Sequence, residues 1–111
     1  MAIAIPWHIR ADPDAEFSLV ARNLWGEEVN CRSAMAYDAA QALITAIASS
    51  SNPTRESIQQ QLSDRNFTAT RASSLVNFLP SGDRLDKIQL VQMQFSSNKF
   101  GDQFLPITPY K

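Results

Sequence analysis

Glycine is scarce in this 111-residue chain: Gly26, Gly82 and Gly101, no two of them close together. A dinucleotide-binding fingerprint needs three glycines within six positions and a phosphate-cradling P-loop needs two, so both are excluded. The single cysteine, Cys31, leaves no internal disulfide and no multi-cysteine zinc site. The single histidine, His8, excludes a paired-histidine metal motif. Net charge is lacking too: 10 Lys and Arg stand against 11 Asp and Glu. With no basic excess to attract phosphates, and with aromatic residues that do not alternate with basic ones, nucleic acid is not an expected partner. No run approaches the roughly 20 apolar residues that span a bilayer. The opening Met-Ala-Ile-Ala-Ile-Pro is apolar, but it has no basic flank and stops at Pro6. It does not read as a signal peptide, so either the chain stays in the cytoplasm or Met1 is not the natural start.

What is present is the composition of one globular domain or a piece of one, 44% hydrophobic and 19% charged. Ala2–Pro6 alternates Ala and Ile and predicts a short buried strand. Asp12-Pro13-Asp14 has helix-start chemistry, Phe17, Val20 and Leu24 follow at helical spacing, and Gly26 is a left-handed terminator, which predicts a helix over 14–25. Ser33 is the expected N-cap of the next helix, 34–49, which contains seven alanines and neither Gly nor Pro. Within it Asp38, Gln41 and Thr45 form one narrow polar stripe. A stripe so narrow predicts a helix packed on every side but that one, with Leu43, Ile44 and Ile47 in the core. Asn52-Pro53 starts a third helix ending near Leu62. The remainder alternates. Phe67–Thr70 and Leu75–Phe78 read as extended segments, Pro80-Ser81-Gly82-Asp83 as a turn and Ser96–Lys99 as another, and Phe100, Phe104, Leu105 and Ile107 form an apolar tail. Lys87–Phe95 predicts a strand whose alternation slips at Val91, through a bulge or a strand apolar on both faces. Helices interspersed with strands predict an α/β or α+β fold of three helices and four or so short strands.

Certain residues could carry chemistry. Cys31, His8 and Asp38 can be drawn as a thiol triad, but no strained elbow or glycine-lined oxyanion loop accompanies them, so no catalysis, metal or cofactor is expected. Arg32 is suited to grip a carboxylate through paired hydrogen bonds, or is a solvated loop residue. Ser33 could turn a hydroxyl and N–H groups toward an anion, or is only a cap. Tyr37 and Asp38 could offer a hydroxyl and a carboxylate; otherwise Tyr37 is core and Asp38 complements the helix dipole. Trp7 could stack on a ligand or fill the core, and His8 reads as a surface loop residue.

The order of features carries a resemblance. Ala36-Tyr37-Asp38-Ala39-Ala40-Gln41-Ala42-Leu43 opens a long Ala-rich helix, and Pro53-Thr54-Arg55-Glu56 with Leu62 marks a short one. Phe67, Phe78-Leu79-Pro80-Ser81-Gly82-Asp83-Arg84 and Gln89-Leu90-Val91-Gln92 follow, with Ile5-Pro6-Trp7 and Phe17 upstream. This resembles the C-terminal third of type I periplasmic binding proteins, the extracytoplasmic receptors of ABC transporters for branched-chain amino acids and related small molecules. Where that family places glycines before the second extended segment, Arg71-Ala72-Ser73-Ser74 stands here. The resemblance implies a non-catalytic solute-binding module with part of a two-lobed α/β fold. It also implies a periplasmic location, a membrane permease or receptor as partner, and hinge closure around a small polar ligand such as an amino acid. Cys31, Arg32 and Ser33 would then lie on a loop facing the cleft, with Tyr37 and Asp38 at its edge and Trp7 near the hinge, where it could stack on a ligand. Only part of the cleft is encoded, so amino-acid binding by this chain alone is expected to be weak or absent. The monomer is expected to be incomplete and to pair as a homodimer, with exchange of elements as one route. The alternatives are a truncated or degenerate paralogue acting only in self-assembly or partner interaction, and the sensor portion of a membrane receptor.

Overall fold

The structure, a computed structural model, describes residues 1–11, 14–70, 72, 75–85, 87–95 and 103–107. It is a mixed α/β arrangement of three helices and, among the described residues, five strands in two small sheets. In chain order these are β1 (Ala2–Ile5), α1 (Glu16–Trp25), α2 (Cys31–Ala48), α3 (Arg55–Leu62), β2 (Ala69–Thr70), β3 (Leu75–Val76), β4 (Gln89–Gln94) and β5 (Gln103–Pro106), with a 3₁₀ turn at Ile9–Ala11 after β1.

Gly26 ends α1 as expected: at φ 72° it is left-handed, and its N–H donates to the Arg22 carbonyl at 2.8 Å. The first helical residue is Glu16 and the residue before it, Ala15, makes no side-chain cap; Asp12 and Pro13 lie outside the described residues. The other two caps sit elsewhere than the sequence suggests. Asn30, not Ser33, caps α2: its Oδ1 accepts from the N–H groups of Arg32 and Ser33 at 2.9 and 3.3 Å. The helix therefore starts one turn early and takes in Cys31-Arg32-Ser33. Thr54, not Asn52, caps α3 in a reciprocal box. The Ser57 N–H donates to Thr54 Oγ1 at 3.2 Å, and the Thr54 N–H donates to Ser57 Oγ at 2.8 Å.

The larger sheet has the order β1-β4-β5, antiparallel throughout, with β4 central. Ile3 opposes Val91 and Val91 opposes Pro106. Period-2 alternation then puts Ile3, Ile5, Val91, Met93 and Phe104 on one face. That face is the covered one, since Val91 is fully buried while Leu90 on the other face is exposed. The register through Val91 is unbroken, so the slip in alternation comes from apolar residues on both faces and not from a bulge. β1 is an exposed edge strand, not the buried one expected, and Pro106 sits on the opposite edge, where a missing N–H is tolerated. Phe95 is exposed; Ser96–Lys99 and Phe100 lie outside the described residues. β2 and β3 form the second sheet, and after β3 the chain loops back with Phe78 bridged to Arg84. Gly82 in that loop has φ 88°, a conformation that other residues rarely adopt.

α2 is the spine, but it faces the opposite way from the expectation. Its buried residues are Ala34, Asp38, Ala42 and Ala46, one every four positions, whereas Leu43, Ile44 and Ile47 are exposed. The polar stripe is the inward side. Ala42 and Ala46 meet Phe67, Ala69 and Val76 in one core cluster, with Ile58, Leu62 and Phe78 packed around it. Ala34 joins Trp7, Ile9 and Ala72 in a second, bordered by Phe17, Val29, Cys31, Met35 and Tyr37. Small side chains let neighbouring backbones approach closely, so the row of alanines is where the rest of the fold leans on the helix. Asp38 lies between the two clusters.

Candidate functional site

Asp38 occupies that gap as one half of a buried ion pair. It is 2% exposed. Its Oδ1 accepts from the Ala72 N–H at 2.6 Å, and its Oδ2 accepts from Arg84 Nη2 at 2.5 Å. Arg84 Nη1 also donates to Met35 Sδ at 2.9 Å. The carboxylate thus ties α2 to the segment after β2 and to the loop after β3. It is a structural cross-brace with both oxygens engaged, not a cleft-edge group and not a first-turn dipole residue.

Tyr37, next to it, is half-buried and packs against the second core cluster. Its ring lies 4.7 Å from Phe17, which meets Trp7 edge-on at 5.8 Å, so three elements are joined by an aromatic chain. Trp7 is 5% exposed, and among the described residues its indole N–H meets no acceptor.

His8 is half-buried and not a surface loop residue. The Arg10 backbone N–H, which can only donate, lies 3.1 Å from Nδ1. Nδ1 is therefore the acceptor, and the ring proton on Nε2 goes to the Phe104 carbonyl at 2.9 Å. Arg10 adds a bond to Gln103 Oε1 at 3.2 Å. Together they dock the 3₁₀ turn onto β5. Both ring nitrogens are held by main chain and Asp38 is held by Arg84, so Cys31, His8 and Asp38 do not assemble as a triad. Among the described residues no three His, Cys, Asp or Glu side chains cluster as a metal site.

The covered face of the larger sheet, the Trp7–Ile9 segment and the start of α2 enclose an open-sided cavity of about 320 Å³. Ile3, Ile5, Val91 and Phe104 form the sheet wall, and Val29, Asn30 and Cys31 form the helix wall. Two expected site residues, Trp7 and Cys31, meet here. Arg32 and Ser33 do not line it, and their N–H groups are already taken by Asn30, so the helix start is not presented to an anion. Val29, Asn30, Val91 and Phe104 were not expected. An Asn immediately before the helix is a readable cap signal, but nothing local places Val91 and Phe104 against Cys31. A second open groove, of about 520 Å³, lies between α3 and the 78–82 loop. No helix among the described residues is long and apolar enough to cross a membrane. Neither a protein-family model nor a curated protein matches the chain.

Proposed function

We propose that the chain is a non-catalytic solute-binding module, of the class implied by the resemblance to type I periplasmic binding proteins, and that the cavity against the larger sheet is its site. One observation carries the reading: Trp7 and Cys31 converge on a single concave space, beside the covered face of the sheet. The lining selects the ligand. Ile3, Ile5, Ile9, Val29, Val91 and Phe104 reward an aliphatic or aromatic body and penalise a buried charge. Leucine, phenylalanine and similar small molecules suit it better than glutamate or lysine. The Trp7 indole N–H offers a directional hydrogen bond to an acceptor oxygen of the ligand. The volume lies at the lower end of the roughly 300–1,000 Å³ of small-molecule sites, and one side is open. Binding by this chain alone is therefore weak, with Kd near 1 mM, about −4 kcal/mol.

Tryptophan emission tests this. In a Trp25→Phe variant Trp7 is the only fluorophore of its type. Leucine, phenylalanine and indole, titrated to about 10 mM, ten times the expected Kd, should change its emission saturably, and glutamate and lysine should not. Ile3→Phe, which fills the cavity from an edge strand, should abolish the response. No saturable response from any of the apolar compounds, or an equal one from glutamate, refutes the proposal.

A further inference from the structure

The outward side of α2 has a pattern as specific as its inward side. Ala36, Ala39, Ala40, Leu43, Ile44 and Ile47 are all exposed, the last three by 48, 59 and 44%. The helix has no charged residue beyond Arg32 except Asp38, and Asp38 points inward. Three turns of helix thus show water an uncharged apolar strip. Along it the side chains are sorted by size, alanines toward the N-terminus and branched residues toward the C-terminus.

We propose that this strip is the contact with a second copy of the chain, the two α2 helices packing antiparallel across a two-fold axis at the level of Gln41 and Ala42. The sorting supports that orientation. A two-fold centred there puts Ala36 opposite Ile47, Ala39 opposite Ile44 and Ala40 opposite Leu43. Each branched side chain faces an alanine, the large-to-small match that lets helices approach closely. A parallel pair would set Ile47 against Ile47 and leave a gap between the two Ala36 residues. The antiparallel pair also aligns opposite ends of the two helix dipoles. A self-complementary patch of this kind is what a closed two-fold dimer requires.

The contact joins helix faces and needs no exchange of strands. It is independent of the cavity and of any ligand there.

Light scattering on the full chain at tens of micromolar should give twice the 12.4 kDa monomer mass. Ile44→Glu should raise the dissociation constant by about thirtyfold or more and leave the far-ultraviolet circular dichroism of the monomer unchanged. Ala39→Glu, at the opposing position, should do the same. Orientation is read by crosslinking in a Cys31→Ser background with a short bismaleimide. Ala36→Cys and Ile47→Cys chains should join when mixed, and neither should join to itself, because like positions lie about 16 Å apart along the axis at 1.5 Å per residue. A monomer overturns the proposal. So does a dimer that survives Ile44→Glu, which would point to exchanged strands, and so does self-joining of Ala36→Cys, which would mean a parallel pair.

Discussion

Removing either partner of the Asp38–Arg84 pair should destabilise the fold, and by unequal amounts. Arg84→Met keeps most of the side-chain length and deletes the charge. It leaves a carboxylate that is 3% exposed with only the Ala72 N–H to balance it. Breaking a buried pair in this way costs about 3–5 kcal/mol, and burial this deep puts the loss near the upper end. Asp38→Leu takes the carboxylate from Arg84, but Arg84 keeps its contact with Met35 and its side chain is 21% exposed, so water recovers part of its solvation. That loss belongs at or below the lower end, about 3 kcal/mol, and it includes the Ala72 N–H left without its acceptor. The double variant replaces both charges with apolar groups and should cost less than either single change, with the orphaned Ala72 N–H, about 1–3 kcal/mol, as its main penalty. Total stabilities run to about 5–15 kcal/mol, so Arg84→Met brings the chain close to unfolding. Urea denaturation followed by circular dichroism measures all three. Loss of less than about 1 kcal/mol in Arg84→Met, or a larger loss in Asp38→Leu than in Arg84→Met, would refute the reasoning, since either result means that the pair is solvated and contributes as a surface bridge does.

The row of alanines and the two caps give sharper local tests. Ala46→Leu adds three carbons where the parent side chain is fully buried and should cost about 1–3 kcal/mol; Ala48→Leu, two residues on and exposed, should stay within about 0.5 kcal/mol of the parent. Asn30→Ala and Thr54→Ala should each lose about 1 kcal/mol, while Ser33→Ala and Asn52→Ala change thermal stability little; equal losses within either pair would put the cap back where the residue order first suggests it.

Local signals were legible where a single residue has one conformational role. Gly26 ends α1, alternation in Lys87–Phe95 marks β4, and an uninterrupted alanine-rich stretch marks α2. The mixed α/β class followed from those. The orientation of α2 did not. Both of its sides are apolar, so periodicity has no contrast to work with, and a lone Asp is ordinarily a solvent-facing residue. What turns Asp38 inward is Arg84, 46 residues later. The readable trace was the strict four-residue spacing of Ala34, Ala42 and Ala46 with Asp38 among them, a row too small to fill a core alone and therefore suited to receive other backbones. The candidate site divided in the same manner. Trp7 and Cys31 reach the cavity because their neighbours along the chain place them there. Its remaining wall, Val91 and Phe104, arrives by strand pairing, which local pattern does not specify.

That pairing has a consequence for how the chain is made. Ile3 meets Val91, 88 positions later, and His8 closes on Phe104, 96 positions later. At about 5–20 residues per second, β1 waits roughly 4–18 s after its own synthesis before β4 exists. During that interval an Ala-Ile strand with both edges open stands beside growing copies on neighbouring ribosomes, each with the same unsatisfied strand. α2 and α3 are complete much sooner, and α2 carries the strip proposed above as the contact with a second copy. Pairing of nascent chains through their helices would then precede closure of the sheet. Dense loading of one messenger should therefore decide between ordered assembly and aggregation of this protein more than its final stability does.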